Sequence, residues 1–397
     1  MATIATSDPL PGEARPAFGE AERLTAEALA ARLRGMGREA AVQPFWVRPY
    51  WWASQAICCG LGVLASVLAI SSPLAGLLVA FAALFLSLAD ETRLAPLRRL
   101  TPARAGQNVV SKPLREPPAG GVYLVLTAAI DDRRPARSAS IASSLILANA
   151  VALGLVGICA AIRLAGFGGL LLDVAQLLPT LFLLVLVLAL LDRGTASPAP
   201  DDSACEAVLE LTSRLDADPP GRLAVAVVLA GGGDAHAAGL RHWLSTRRRR
   251  GMSSTGTAVL AIESCREGRP VWWKRDGTVV ATGLHPQLRA AAARASEDLP
   301  GLGARAVSGP DATAAGVARG GRWPALAIGA RAEKAPADGD AGEGTAAEGD
   351  GTGGLPAVVD FGEALVGELD RELSDRAGEE AGQSSSSSSS RSSPPSP

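Results

Sequence analysis

IASSLILANAVALGLVGICAAIRLAGFGGLLLDVAQLLPTLFLLVLVLALL, residues 141–191, is a long apolar run broken only by Arg163–Gly169 (RLAGFGG) and by Asp173. Each half, Ile141–Ile162 and Leu170–Leu191, holds about 20 residues, enough to cross a hydrocarbon core of ~30 Å as a helix. A helix satisfies its own backbone polar groups, so lipid tolerates it where an open loop would be costly. The glycine-rich break is short, which predicts a tight helical hairpin whose two ends return to the same side of a membrane. The alternative is a buried helical pair in a soluble core, but core helices rarely run this long without charge.

A second run, Ala53–Ala89, reads the same way. Its turn is Ser71-Ser72-Pro73, each arm has about 17–18 residues, and Asp90-Glu91-Thr92-Arg93 closes it. The expectation is four transmembrane helices in two hairpins, with a re-entrant first hairpin as the alternative. Tyr50-Trp51-Trp52, just before it, suits a membrane–water boundary. Arginine and lysine set the orientation. Arg32, Arg34, Arg38 and Arg48 precede the first hairpin, nine basic residues lie between the hairpins, and the two turns carry only Arg163. The soluble material and both termini are therefore expected in the cytoplasm, under a plasma membrane.

The composition agrees. Of 397 residues, 48% are hydrophobic and only 4% aromatic, and the mean hydropathy of +0.20 comes from these two blocks. The net charge of -2 gives no global electrostatic case for nucleic acid as a partner. The basic residues are nearly all arginine, with lysine only at Lys112, Lys274 and Lys334, a bias typical of a GC-rich genome. The five cysteines, Cys58, Cys59, Cys159, Cys205 and Cys265, are odd in number and form no CxxC pair, which argues against a disulfide framework or a zinc finger.

Outside the hairpins, helical and strand patterns alternate. Residues 1–18 are Pro/Gly-rich, with acids and proline ahead of any apolar core, unlike a secretory signal. Gly19–Arg38 predicts an amphipathic helix with Ala21, Leu24, Ala28, Leu29 and Leu33 on one face, ended by Gly35 and Gly37. Strands are expected at Ala40–Val47, Asn108–Ser111, Gly121–Ala129, Leu223–Ala230, Thr257–Ile262 and Ala325–Ile328. Helices are expected at Asp202–Leu215, from His236 through Leu244, at His285–Ser296 and at Phe361–Leu373. This order predicts an α/β three-layer sandwich with a mostly parallel sheet, interrupted by the two hairpins. Ala335–Gly354 and the Ser/Pro-rich tail from Gln383 read as disordered.

Open α/β sheets place ligands at the ends of their parallel strands. Acids follow three of the expected strands: Asp131-Asp132, Asp234 and Glu263; Asp201-Asp202 begins the helix after the second hairpin. Clustered carboxylates can hold a divalent metal and acidify its water, but aspartate equally favours helix N-caps and turns. Arg247–Arg250 could meet anionic lipid headgroups or nucleic acid, although cations also suit a solvated helix C-terminus. Gly231-Gly232-Gly233 lacks the Gly-Lys-Ser/Thr of a nucleotide loop. Asp173 and Gln176 are unusual in lipid, yet Asp173 sits near an interface. His242 and His285 carry no motif and read as solvated.

The order of segments resembles the di-zinc aminopeptidase and carboxypeptidase family, the zinc exopeptidases of peptidase family twenty-eight. Glu22–Phe45 looks like that family's opening helix and strand, and QNVVS (Gln107–Ser111) like its second strand. VLTAAIDD is similar to the strand ending in His-x-Asp, and APDDSACEAVLELTSRL (Ala199–Leu215) to the helix start written Gly-Ala-Asn-Asp-Asn-Ala-Ser-Gly. LAVAVVLAGGGDAHAAGLRHWL looks like the segment with Glu-Glu-x-Gly-Leu, AVLAIES like the strand ending in a metal-binding Asp, and RWPALAIG like Gly-Ile-Pro-Ala-Leu. About 270 residues are covered.

The departures concern the metal positions. Ala129 stands where the family has its first metal-binding His, while the Asp two residues on is kept as Asp131 and the bridging Asp as Asp202. Anchored on Gly239-Leu240, the paired glutamates fall at His236 and Ala237, and a short gap would bring Asp234 there. The later Asp becomes Glu263, and no histidine follows Ile328. A catalytic zinc normally needs about three protein ligands, and a general base alone contributes ~10²–10⁴-fold in rate. What the resemblance implies is a degenerate member. Its peptidase-like domain comprises 19–52, 90–140 and 192–330, with hairpins at 53–89 and 141–191, a linker at 331–356, a helix at 357–376 and a tail at 377–397. No catalytic residue and no bound cofactor are expected, and the role is binding or scaffolding of a peptide or protein partner at the bilayer. The alternative is an active membrane-anchored metallo-aminopeptidase or amidohydrolase with zinc held by Asp131, Asp202, His236 and Glu263. A small transporter would rest on the hairpins alone.

Overall fold

A computed structural model of the chain describes residues 18–90, 96–131, 136–193, 201–233, 237–276, 282–309, 313–332 and 353–389. The N-terminal stretch to residue 17, Asp132, Asp234, His236, most of the expected linker and the end of the tail lie outside the described residues.

The chain opens with helix α1 (Glu20–Gly35) and strand β1 (Ala40–Val47). Glu20 in the first turn of α1, and Arg32 and Arg34 in its last, complement the helix dipole. Its buried face is Glu22, Thr25, Ala26, Leu29, Ala30 and Leu33, whereas Leu24 is exposed. The stripe drawn through Ala21, Leu24 and Ala28 is thus rotated by about one residue. Leu29 and Leu33 anchor the helix on the sheet, and the i−3/i−4 partners of Leu29 are Ala26 and Thr25, with Glu22 one turn before them.

Helices α2 (Trp51–Ser71) and α3 (Pro73–Asp90) form the first hairpin, turning at Ser72. A short 3₁₀ turn, Arg98–Leu100, leads into strands β2 (Arg104–Ser111) and β3 (Val122–Ala129). The second hairpin is α4 (Ala136–Leu164) and α5 (Leu170–Arg193). Among the described residues four helices are long and apolar enough to span a membrane: Trp51–Ser71, Pro73–Asp90, Leu145–Leu164 and Leu170–Leu191. They pack on one another around an apolar core of Ala65, Ala80, Leu153, Leu183 and Leu190. Leu78, Phe81, Phe85, Leu178 and Leu188 point outward and are exposed, as lipid-facing residues are. Two hydrogen-bonded clusters tie the helices together. Near one end, Asn149 Nδ2 donates to Gln55 Oε1 (2.8 Å), as does Ser87 Oγ (2.8 Å). Nearer the turns, Gln176 Nε2 donates to Ser66 O (2.6 Å) and Arg163 Nε to Gln176 Oε1 (2.9 Å), and Arg163 also pairs with Asp173.

The remaining elements complete the α/β unit: α6 (Ser203–Ala217), β4 (Leu223–Ala230), α7 (Ala238–Arg249), β5 (Thr257–Ile262), β6 (Arg269–Asp276), β7 (Thr282–Gly283), α8 (Pro286–Asp298), β8 (Arg305–Ser308), α9 (Ala314–Gly320), β9 (Ala325–Arg331) and α10 (Leu355–Ser389). The sheet runs β1-β2-β4-β3-β5-β9-β6-β7, with β8 beside β6. Its centre, β4-β3-β5-β9, is parallel; β1, β2, β6 and β7 join antiparallel on the flanks. Every residue of β4 and β5 is buried, which is why these strands read as unbroken apolar runs. Helices α6, α8 and α10 cover one face with α1 beside α6, and α7 with α9 covers the other. Strand β6 has no alternating pattern, because Trp272 and Trp273 are adjacent and both buried. Asp370 of α10 pins the approach to β4, accepting from Gly221 N (2.8 Å) and Arg222 N (2.6 Å).

Candidate functional site

The parallel pairing brings Ala129 opposite Ala230 and Ile262 opposite Ile328, so β3, β4, β5 and β9 finish along one edge. The residues that follow, Asp131, Gly231–Gly233 and Glu263, therefore gather at the strand ends where the sequence places its candidate acids.

Asp131 is buried, and its Oδ1 accepts from Gly233 N at 2.7 Å. Close by is Glu22 of α1, which is fully buried; its Oε1 accepts from Gln107 N (2.8 Å) and its Oε2 from Phe18 N (2.5 Å). Burial, and then the negative charge of Asp131, push the Glu22 carboxyl up to about 7, against the opposing pull of the two N–H donors. Gly231 is required here: a Cβ would sit 2.3 Å from Glu22 Oε1 and 2.5 Å from Gln107 O. Asn108 completes the lacing, with Gly231 N donating to its Oδ1 (3.2 Å) and its Nδ2 donating to Gly239 O (3.0 Å). Glu22 and Asn108 are the site-edge residues that the sequence pattern missed. Glu22 could have been found from its spacing, since it falls in line with Ala26, Leu29 and Leu33 on a face that is otherwise apolar.

Asp202 stands at the N-cap of α6 in a helical conformation (φ −86°, ψ −11°), half-buried. Its neighbour Asp201 provides the side-chain bonds, accepting from Ser203 N (3.1 Å) and Ser203 Oγ (2.5 Å) and lying 3.5 Å from Arg266. Ser203 Oγ in turn accepts from Cys265 N (2.8 Å), joining this helix start to the segment after β5. Glu263 Oε1 accepts from Ala314 N (3.0 Å) at the first turn of α9. Two buried thiols donate to strand-end carbonyls, Cys205 to Ala129 O and Cys265 to Glu263 O, both at 3.1 Å. Burial, reinforced by Asp201 and Glu263, drives the Cys265 thiol far up, so it is inert as a nucleophile. Asp276, another buried carboxylate, is committed to structure and accepts from Thr313 N.

Asp131 thus lies with Glu22 and the Gly231–Gly233 loop, while Glu263 lies with Cys265 and the start of α9. Among the described residues no group of three or more His, Cys, Asp and Glu side chains is placed to hold a metal ion. Asp131 and Glu263 each commit a carboxylate oxygen to a backbone N–H. The described donor set therefore does not fit a zinc centre. His236 and Asp234 fall outside the described residues. Of the other histidines, His242 is exposed and stacks on Phe45 (centroids 5.8 Å apart). His285 is half-buried at the start of α8, a correction to its reading as solvated; burial and the nearby Arg289 hold its imidazole below the ordinary range. The arginines ending α7 are a helix C-terminus, with Arg247 over Trp243 and Arg248 over Trp323.

No protein-family model matches the sequence, and neither does any curated protein. Solved structures similar to this chain are zinc aminopeptidases, zinc-dependent exopeptidases and glutaminyl cyclases. A glutaminyl cyclase from an Acidobacteriales bacterium is 12% identical with a TM-score of 0.44, over 92% of this chain and 90% of that one. A Zn-dependent exopeptidase from Parabacteroides distasonis is 12% identical with a TM-score of 0.43, over 91% of this chain and 93% of that one. The zinc aminopeptidase BSAP from Bacillus subtilis is 9% identical with a TM-score of 0.40, over 90% of this chain and 91% of that one. At these identities and scores the likeness assigns no chemistry to this chain.

Proposed function

We propose that this chain is a multi-pass membrane protein carrying a cytoplasmic, exopeptidase-like α/β unit that has given up zinc chemistry and serves to bind or scaffold a peptide or protein partner. Ala129 carries the reading. It closes β3 at the position where the resembling family has its first metal-binding histidine, and it offers only a methyl group there; its carbonyl takes the Cys205 thiol. The neighbouring acids support the same view, since Asp131 and Glu263 hold loops together through Gly233 N and Ala314 N. A hydrolase that lost a ligand and a general base would lose orders of magnitude in rate, whereas binding a partner needs neither group. The cytoplasmic side is supported by the arginines outside the hairpins, and the bilayer by the four apolar helices.

Elemental analysis of the detergent-purified protein, beside its Asp202→Ala variant, tests the reading. The expected result is no zinc in the wild type above the level of the variant. About one zinc per chain, absent from the variant, would overturn it in favour of an active metallo-aminopeptidase or amidohydrolase using Asp131, Asp202, His236 and Glu263.

A further inference from the structure

The rim where the first hairpin meets the α/β unit carries a group of exposed arginines. The 3₁₀ turn Arg98–Leu100 is anchored to the end of α3, because Asp90 accepts from Arg98 N (3.1 Å) and Arg98 Nε (3.0 Å). The same turn is tied to the other arm, as Arg48 Nε donates to Thr101 O (3.1 Å). Arg104, opposite Val47 in the β1–β2 ladder, donates through Nε to Tyr50 Oη (3.0 Å), immediately before α2. Arg48, Arg99 and Arg104 are all exposed, and none has a carboxylate partner among the described residues. Beside them stand two large apolar side chains turned to the outside, Trp46 at 72% and Leu100 at 81% exposure.

In water the arginines would be hydrated, but the two bare apolar side chains near them would gain nothing from being exposed. At a membrane interface each component has a partner. Tryptophan favours the headgroup level, leucine can reach the acyl boundary, and an arginine fork matches a phosphate. The position is constrained as well, since Trp46 precedes the first residue of α2 by only five positions. We infer that Trp46, Arg48, Arg99, Leu100 and Arg104 form a collar that binds anionic phospholipid headgroups of the leaflet facing the α/β unit. This inference rests on the reading of the four helices as membrane spans.

The test uses the full chain reconstituted in nanodiscs of mixed phosphatidylcholine and phosphatidylglycerol, with retained lipids counted by native mass spectrometry. The wild type should release enriched in phosphatidylglycerol. Each arginine removed should lower that enrichment roughly fivefold, so R48Q/R99Q/R104Q should lose it nearly completely, while R249Q/R250Q at the end of α7 should keep it. R99Q serves as the second variant if the triple one does not fold, because among the described residues the Arg99 side chain has no hydrogen-bond partner. Incorporation without enrichment, or equal loss in R249Q/R250Q, would overturn the collar alone. Failure of the wild type to enter nanodiscs would overturn the membrane-span reading and the collar with it.

Discussion

At the scale of single residues, Glu22 is the most consequential side chain near the strand ends. Its carboxyl titrates near 7 in the fold against 4.5 for the ordinary group, because burial and Asp131 both disfavour the charge. The folded protein therefore holds a proton that the unfolded chain has released between those values. Stability is expected to fall as pH rises from about 4.5 to 7, by about 3 kcal/mol in all, and to level off above. Melting temperatures of Glu22→Gln across that range should lose this slope, since the amide does not ionise; an unchanged slope would show that another group sets it. Gly231 makes a second, independent prediction. Gly231→Ala places a methyl 2.3 Å from Glu22 Oε1 and 2.5 Å from the Gln107 carbonyl, so one side or the other must move. Overpacking of this kind costs about 1–3 kcal/mol, to be read as a lowered urea midpoint with an unchanged slope. The sequence displayed both residues but not their meeting. Glu22 is one helical turn from Ala26, yet only the pairing of β2 with β4 brings Gly231 against it.

At the scale of elements, the bundle of four apolar helices proposed to span the membrane would rely on shape and on a few hydrogen bonds, because lipid supplies no hydrophobic drive between helices. Small residues let the helices close: a Cβ on Gly62 would lie 2.4 Å from Leu153 and one on Gly76 2.6 Å from the Ala69 backbone. Asn149→Leu removes the hydrogen bond from α4 to Gln55 of α2, for an expected loss of about 1 kcal/mol. Resistance to unfolding by sodium dodecyl sulfate measures it, and a loss near zero would mean that packing alone holds these helices. In the α/β unit, Asp370→Ala frees two backbone donors before β4, at a cost of about 1–3 kcal/mol. Hydrogen exchange should then rise selectively at Gly221 and Arg222. The central strands were legible because continuous burial makes them continuously apolar. Strand β6 was not, since its Trp272-Trp273 pair follows neither the alternating nor the helical period.

At the scale of the whole molecule, the two hairpins interrupt one sheet without disturbing its order, since each returns its chain to the side from which it left. If the α/β unit is cytoplasmic, the turns at Ser72 and Gly168 face outward. Single cysteines at these positions should react with a membrane-impermeant maleimide in intact cells, and one at Arg115 only after permeabilisation. The reverse pattern would invert the topology. All five native cysteines are buried and should stay silent. Sequence alone determined the four apolar helices, their hairpin pairing and the alternating strands and helices of the α/β unit. Each of these is a local property of period, length and charge, readable wherever it occurs along the chain. Only the tertiary structure decided that the sheet is parallel at its centre and antiparallel at its flanks, and that α1 turns Glu22 inward. It also decided that Asp131 and Glu263 hold backbone amides. Those outcomes depend on strand pairings between residues far apart in the chain, such as Val259 with Ala325 and Val122 with Leu223, and hydrophobic patterning carries no record of which strand lies beside which.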